Sequence, residues 1–354
     1  MSTTAALDTR TSLALELMVQ FAARTGLEPE GPQRRYLWTD AFAVTNFLGL
    51  HQRELALKLI DRVHRTLGRH RPDSATTGWI SGLAESEGAA HPTAGGLRIG
   101  KPLAERSPTD SFDQRLEWDR DGQYFHYLTK WMHALDQTTR HTGDLTFNRW
   151  ARELAVRAHR AFVHASRTRM TWKMSIDLSR PLVPSMGQHD PLVGYVTCVQ
   201  LESTPNPSAP SLADAIKDFA AMIDPASLAT DDPLGIGGLL IDASRLQQLG
   251  KAEQLVNDVL GAAVVGLRAY QHQAGLDAPA DRRLAFRELG LAIGLAAEPL
   301  PAFQSLRERV ESFWIDPRHR QTALWHEHQD INDVMLATAL APEGFVRVSN
   351  RGNR

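Results

Sequence analysis

Apolar residues recur at spacings of three and four along almost the whole chain, which is the period of an amphipathic helix, while alternating, strand-like runs are scarce. Leu13, Leu17, Val19 and Phe21 define the first such segment, residues 9–24. The same period predicts helices over residues 39–50, 54–69, 122–140, 144–167 and 190–202 in the first half. In the second half it predicts 211–222, 232–248, 252–274, 282–297, 302–313 and 330–340. Asp190-Pro191 and Asp232-Pro233 are start signals: aspartate caps free amides, and proline at the first helical position gives up no hydrogen bond. The expected fold class is all-α.

The twelve helices are joined by unequal connections. Those after even-numbered helices are short, as at Thr142-Gly143 and around Gly250, whereas those before even-numbered helices are longer and richer in polar and aromatic residues. The longest, residues 70–121, is expected to be a loop or lid inserted before the fourth helix. Twelve helices in six hairpins, with elaborate loops on one side, predict an (α/α)6 toroid in which even helices form an inner ring and odd helices an outer one. An α-solenoid of helix pairs is the alternative, but it calls for self-similarity at a period of about 34 to 45 residues, and none is visible. One domain over residues 1–354 is expected.

Composition narrows the class further. Thirty-nine Lys and Arg against 41 Asp and Glu give a net charge of -2, which excludes a basic nucleic-acid surface as the dominant feature. Cys198 is the one cysteine, so neither an intrachain disulfide nor a cysteine-based zinc site is available. The first ten residues lack the basic and apolar runs of a secretory peptide, and the most apolar stretch, Val259 to Leu267, is far short of a bilayer span. A cytoplasmic protein with no membrane or nucleic-acid partner is expected; oligomeric state is not readable.

Most of the eight tryptophans flank the predicted starts of even helices, and none lies between residues 173 and 313. Four polar clusters share these places. The first, from Arg34 to Asp40, contains Arg35, Tyr36 and Trp38 as candidate ligand contacts and Asp40 as a candidate acid or base; the bland reading is that Thr39 or Asp40 caps the helix. The second, Glu117 to Tyr127, contains Glu117, Asp119 and His126 as catalytic candidates and Trp118, Tyr124 and Tyr127 as ligand contacts. A solvated acidic helix start explains the acids there but not the histidine and tyrosines. His126 and Lys130, four apart, share a helix face with Gln123. The third, Met186 to Pro191, offers His189, which has no capping role, and Asp190, which does. The fourth, Leu324 to Asp333, offers Trp325, His326, Glu327 and His328; Asp330 and Asp333 fit a capping pair. His326 and His328 are two apart rather than four, and no third ligand is assignable, so no metal is expected.

The long insertion holds a false friend. Gly95-Gly96-Leu97-Arg98-Ile99-Gly100-Lys101 has the spacing of a phosphate-binding loop, but Pro102 stands where a serine or threonine is required, and no strand precedes it. A softer reading is that Arg98, Lys101 and Arg106 on a glycine-rich lid, with Trp79 beside them, meet an anionic ligand such as a uronate or sugar phosphate. A solvated loop is the plain alternative.

Helix count and loop asymmetry, over nearly the whole chain, resemble the six-hairpin glycosidase superfamily, which includes glycoside hydrolases, unsaturated uronyl hydrolases and, on a closely similar toroid, sugar 2-epimerases. No single family's catalytic signature is matched residue by residue, so the resemblance implies a class and no roles. It implies a carbohydrate-active enzyme, foremost a glycoside hydrolase working through two of Asp40, Glu117, Asp119, Asp190 and Glu327 facing one cavity. The second expectation is a sugar epimerase or isomerase using a pair among His126, His189, His326 and His328. The third is a non-catalytic interaction module whose cavity is filled by side chains. No cofactor is expected, and the ligand would be a small sugar in a central cavity.

Overall fold

A computed structural model describes residues 3–273 and 275–348. It is mostly helical. The twelve long helices are α1 (Thr3–Arg24), α2 (Leu37–Gly49), α3 (Arg53–Leu67), α6 (Phe125–Thr142), α7 (Leu145–Phe162), α8 (Asp190–Glu202), α9 (Ala213–Met222), α10 (Pro233–Gln248), α11 (Glu253–Gln273), α12 (Ala285–Ala297), α13 (Gln304–Ile315) and α15 (Gln329–Leu340). Each overlaps one of the twelve expected segments, but Gln123, expected on the helix face of His126 and Lys130, lies in a short strand before α6. The expected end of the ninth, Ala274, lies outside the described residues. The helix expected to reach residue 167 stops at Phe162, because Val163 turns extended and pairs with Met170, and Arg167 takes a positive φ of 56°.

Burial divides these helices into two kinds. α3 buries one stripe, Ala56, Leu59, Ile60, Val63, His64 and Leu67, and leaves the other positions exposed or half-buried, as a helix does when one face meets a core. α2 is buried continuously from Leu37 to Leu48, which requires neighbours on every side. The neighbours are explicit. α2 packs on α6, α6 on α8, α8 on α10, α10 on α12, α12 on α15, and α15 on α2 again. Against these six, in order, lie α3, α7, α9, α11, α13 and α1. α10 and α12 approach one another closely, and a Cβ on Gly237 would collide with the Gly290 carbonyl. Only glycine lets the two backbones meet there.

The turns that follow α2, α6 and α10 are tight. After α6 the chain reverses through Gly143, whose φ of 78° suits glycine. The connections that precede the continuously buried helices are longer, and they carry what the hydrophobic pattern did not reveal. Between α3 and α6 lie two short helices, α4 (Glu85–Ala90) and α5 (Gln114–Asp119). Before α15 and after it come α14 (Ala323–Glu327) and α16 (Glu343–Val346). Three very short strands, β1 (Gln123–Tyr124), β2 (Lys173–Met174) and β3 (Pro181–Val183), form an antiparallel sheet in the order β1-β2-β3 at the start of α6.

One end of the helix assembly is stopped by α16. Phe345 stacks on Phe42 with ring centroids 4.4 Å apart, and its carbonyl accepts a hydrogen bond from His133 Nε2 at 2.8 Å. Gln137 Nε2 donates to the Gly344 carbonyl at 2.9 Å. No helix among the described residues is long and apolar enough to cross a membrane.

The segment 70–121 is not a solvated strap along its whole length. Residues 95–99 are buried, and their backbone is tied down: Leu97 N–H donates to Gln123 Oε1 and Ile99 N–H to the Gly122 carbonyl. Each guanidinium nitrogen of Arg98 is engaged, donating to Asp121 at 2.8 Å and to the carbonyls of Arg69 and Thr66. Its charge serves this buried junction rather than a lid.

Candidate active site

A cavity of about 350 Å³ is lined by residues from α2, α6, α8, α10, α12 and α15 together. Trp38 and Phe42 come from α2, His126 and Lys130 from α6, Asp190 and Val193 from α8, Gly238, Ile241 and Asp242 from α10, Gly290 and Ile293 from α12, and Met335 from α15. Most of these lie in the N-terminal halves of their helices. The long connections add Trp172, His189 and Asp232 at the same end. The opposite end is floored by Phe42, which backs onto Phe345 of α16. Gly238 leaves open space: a Cβ there would meet nothing within 4 Å.

Local structure explains how the chemistry reaches the cavity. His126 and Lys130 are one helical turn apart on α6 and so share its face. The sheet brings Trp172 over them. Trp172 accepts from Phe125 N–H and donates to the Val183 carbonyl, and its ring lies nearly parallel to His126, 5.9 Å away at 11°. Tyr127 meets His126 edge-on at 4.7 Å and bonds through its hydroxyl to Tyr36 at 2.6 Å. Tyr124 closes the group against Trp172 at 5.1 Å.

The two Asp-Pro steps differ in role. Asp232 is the cap that the sequence predicts: it is extended, and its carboxylate accepts from Gly235 N–H at 3.1 Å. At the other step the cap position falls on His189, so Asp190 is already helical and its carboxylate instead accepts from Gly187 N–H at 3.0 Å. The expectation that Asp190 caps the helix amides is corrected accordingly. Burial with no cation beside it pushes the Asp190 carboxyl up to about 7. Burial and the nearby Lys130 charge hold the His126 imidazole down at about 3. His126 Nδ1 is buried without a hydrogen-bond partner. His189 Nε2 bonds to the Leu228 carbonyl at 2.8 Å, which makes that nitrogen the donor and leaves the lone pair on Nδ1. Asp242 is paired with Arg245 at 3.1 Å and Asp232 with Arg287 at 2.6 Å.

Of the residues singled out in the sequence, Trp38, His126, His189 and Asp190 meet in this cavity. Tyr36, Lys101, His326, Glu327 and His328 line a separate cleft of about 360 Å³. Arg35, Asp40 and Arg98 line a third, of about 430 Å³, with Tyr36 on its edge too. Neither Thr39 nor Asp40 is the cap that the sequence suggested: α2 begins at Leu37 with Tyr36 at the cap position, and the Asp40 carboxylate, inside the first turns, accepts Tyr36 N–H at 3.0 Å and pairs with buried Arg35 at 3.3 Å. Burial raises that carboxyl to about 6. Glu117 is buried between Lys173 at 2.9 Å and Arg106 at 3.1 Å, so both Glu117 and Arg106 belong to an internal ion network. Asp119 and Trp118 are exposed, Trp118 by 50%. Trp79 lies under Arg69 in an outer pocket with His64 and Trp150. Trp325 packs on Trp314 in the core. Asp330 and Asp333 are not caps; both pair with Arg24 of α1.

The cavity therefore brings no two of the five nominated carboxylates together, and it does bring two nominated imidazoles together. It also recruits Lys130, Trp172, Asp232 and Asp242, which were not nominated. Lys130 had a signal, its helical register with His126. Asp242 had a fainter one, an acid inside the apolar run from Leu234 to Ala243. Among the described residues no group of three or more His, Cys, Asp or Glu could hold a metal ion. No protein-family model matches the chain, and no curated protein matches its sequence.

Proposed function

We propose that the chain is an (α/α)6 toroid and a carbohydrate-active enzyme that performs acid–base chemistry on a sugar in the central cavity. The toroid reading rests on the cyclic succession α2, α6, α8, α10, α12, α15, with one further helix outside each. The six-hairpin resemblance agrees with it. The observation that carries the functional reading is the meeting of His126, His189 and Asp190 with Trp38 and Trp172 in a single pocket. Indole faces suit the apolar faces of sugar rings, and a concave site with a few polar groups is the usual form of a small-ligand site.

Epimerisation or isomerisation is the favoured reaction. Burial pushes Asp190 and His126 in opposite senses, to about 7 and about 3, so near neutral pH the imidazole is uncharged and a large share of the carboxyl is protonated. A neutral base and a neutral acid in one cavity form a couple for proton transfer next to a carbonyl. His126 takes the proton from the carbon beside the carbonyl, and Asp190 donates to the carbonyl oxygen as the enol forms. His189, with its tautomer set by Leu228, is the base available for the opposite face of the sugar. Glycoside hydrolysis is the second reading. It is favoured by one observation: Asp190, whose carboxyl burial raises to about 7, shares the cavity with a second carboxylate, Asp242, paired with Arg245.

The test is a panel of reducing sugars and glycosides incubated with the protein in D2O and followed by proton NMR. Loss of the proton next to the carbonyl supports epimerisation. Release of a reducing end from glycosides without exchange supports hydrolysis. Neither event, with a folded protein, overturns the enzymatic reading.

A further inference from the structure

The sequence suggested that basic residues on the insertion meet an anionic ligand. Two of the three are engaged elsewhere, Arg98 with Asp121 and Arg106 with Glu117. The cavity itself has a different charge balance. Asp242 is neutralised by Arg245 and Asp232 by Arg287. Asp190 lacks a cation, and burial opposes its ionisation. Lys130 is then the one lysine on the cavity wall, and among the described residues it makes no hydrogen bond or ion pair. The contrast with Lys173 is informative. That lysine is fully buried, and its ammonium donates to Glu117 Oε1 and to the carbonyls of Glu117 and Arg120, whereas Lys130 is half-buried and turned to the cavity. Internal charges are ordinarily satisfied in this way.

Resting on the reading of the cavity as a sugar site, we infer that its ligand is an anionic sugar, a uronate or aldonate, whose carboxylate pairs with Lys130. The carboxylate supplies the acceptors that the protein withholds. Burial also holds the Lys130 ammonium below its usual range, and a bound anion reverses that tendency. His126, one turn away, faces the same volume, so a ligand held at Lys130 lies against the imidazole. The stacked His126 and Trp172 rings offer its apolar face a wall.

The experiment compares glucuronate, galacturonate and gluconate with glucose and galactose, at matched ionic strength, by thermal shift and calorimetry. Variants are Lys130→Met, Lys130→Arg and, as a surface control, Lys217→Met on the exposed side of α9. Charge-assisted pairing predicts that at least one acid binds about ten- to a hundredfold more tightly than its neutral parent. Lys130→Met is expected to abolish that preference with its unliganded circular dichroism unchanged, Lys130→Arg to keep part of it, and Lys217→Met to keep all of it. Equal binding of acids and neutral sugars, or a preference that survives Lys130→Met, overturns the inference alone. Binding of no sugar at all overturns both the inference and the sugar reading beneath it.

Discussion

Replacing Asp190 by asparagine isolates the electrostatics of the cavity. The carboxyl is raised from 3.8 to about 7 because it is buried and its one hydrogen bond, from Gly187 N–H, only partly offsets the desolvation. The sign follows from proton counting. Between those two values the folded chain holds the proton and the unfolded chain has released it, so rising pH favours unfolding. The wild type therefore loses stability at this residue as pH climbs from about 4 to 7, and the loss is complete above the folded value. At about 1.4 kcal/mol per unit, the loss is about 4 kcal/mol at pH 8 and about 2 kcal/mol at pH 5. Asparagine keeps an oxygen to accept the Gly187 amide and does not titrate. Any constant cost of its amide cancels between two pH values. Urea unfolding of both proteins at pH 5 and pH 8 is expected to show the variant gaining about 2 to 3 kcal/mol on the wild type across that interval. A difference that stays constant or shrinks would refute the reasoning, because it would mean that the carboxyl is solvated or paired.

Other perturbations test the frame around the cavity. Glu117→Gln leaves Lys173 as an internal ammonium without its carboxylate and is expected to cost about 3 to 5 kcal/mol in chemical denaturation. Gly237→Ala drives a methyl group into the Gly290 carbonyl between α10 and α12, with an expected cost of about 1 to 3 kcal/mol, read as a lower thermal midpoint. Phe345→Ala removes the ring stacked on Phe42 and is expected to cost about 3 to 5 kcal/mol in urea unfolding. His126→Gln keeps a polar side chain on the wall but removes the base, and solvent exchange into the substrate is expected to fall at least about a hundredfold.

How far such features are legible in sequence depends on the range of the forces behind them. The one-sided stripe of α3 is a local signal, and so are the capping chemistry of Asp232 and the glycine turn at residue 143. Each was readable. The strands β1 and β2 have two residues each, too few for alternation to show, and they exist because the connection after α7 folds back across the start of α6. Arg98 and Glu117 looked like free chemistry because their partners are remote in sequence: Asp121 is 23 residues from Arg98, and Lys173 is 56 from Glu117. The cavity wall hides for another reason. A helix such as α10 is buried on nearly every side, so the positions that face the cavity carry the same apolar pattern as those that face the core. Asp242 and Lys130 break that pattern, and a polar residue inside an otherwise buried helix is the signal that would have found them.

The central claim is that the ligand occupies the cavity enclosed by α2, α6, α8, α10, α12 and α15. Gly238 tests it directly, since it lines that cavity and a side chain built there meets open space. Gly238→Phe fills the volume without touching an ionisable group and gives the helix a better former than glycine. With the sugars that stabilise the wild type, the predicted result for the folded variant is loss of the ligand-induced rise in thermal midpoint and loss of solvent exchange. An undiminished rise in the Gly238→Phe protein would place the ligand elsewhere and contradict the account.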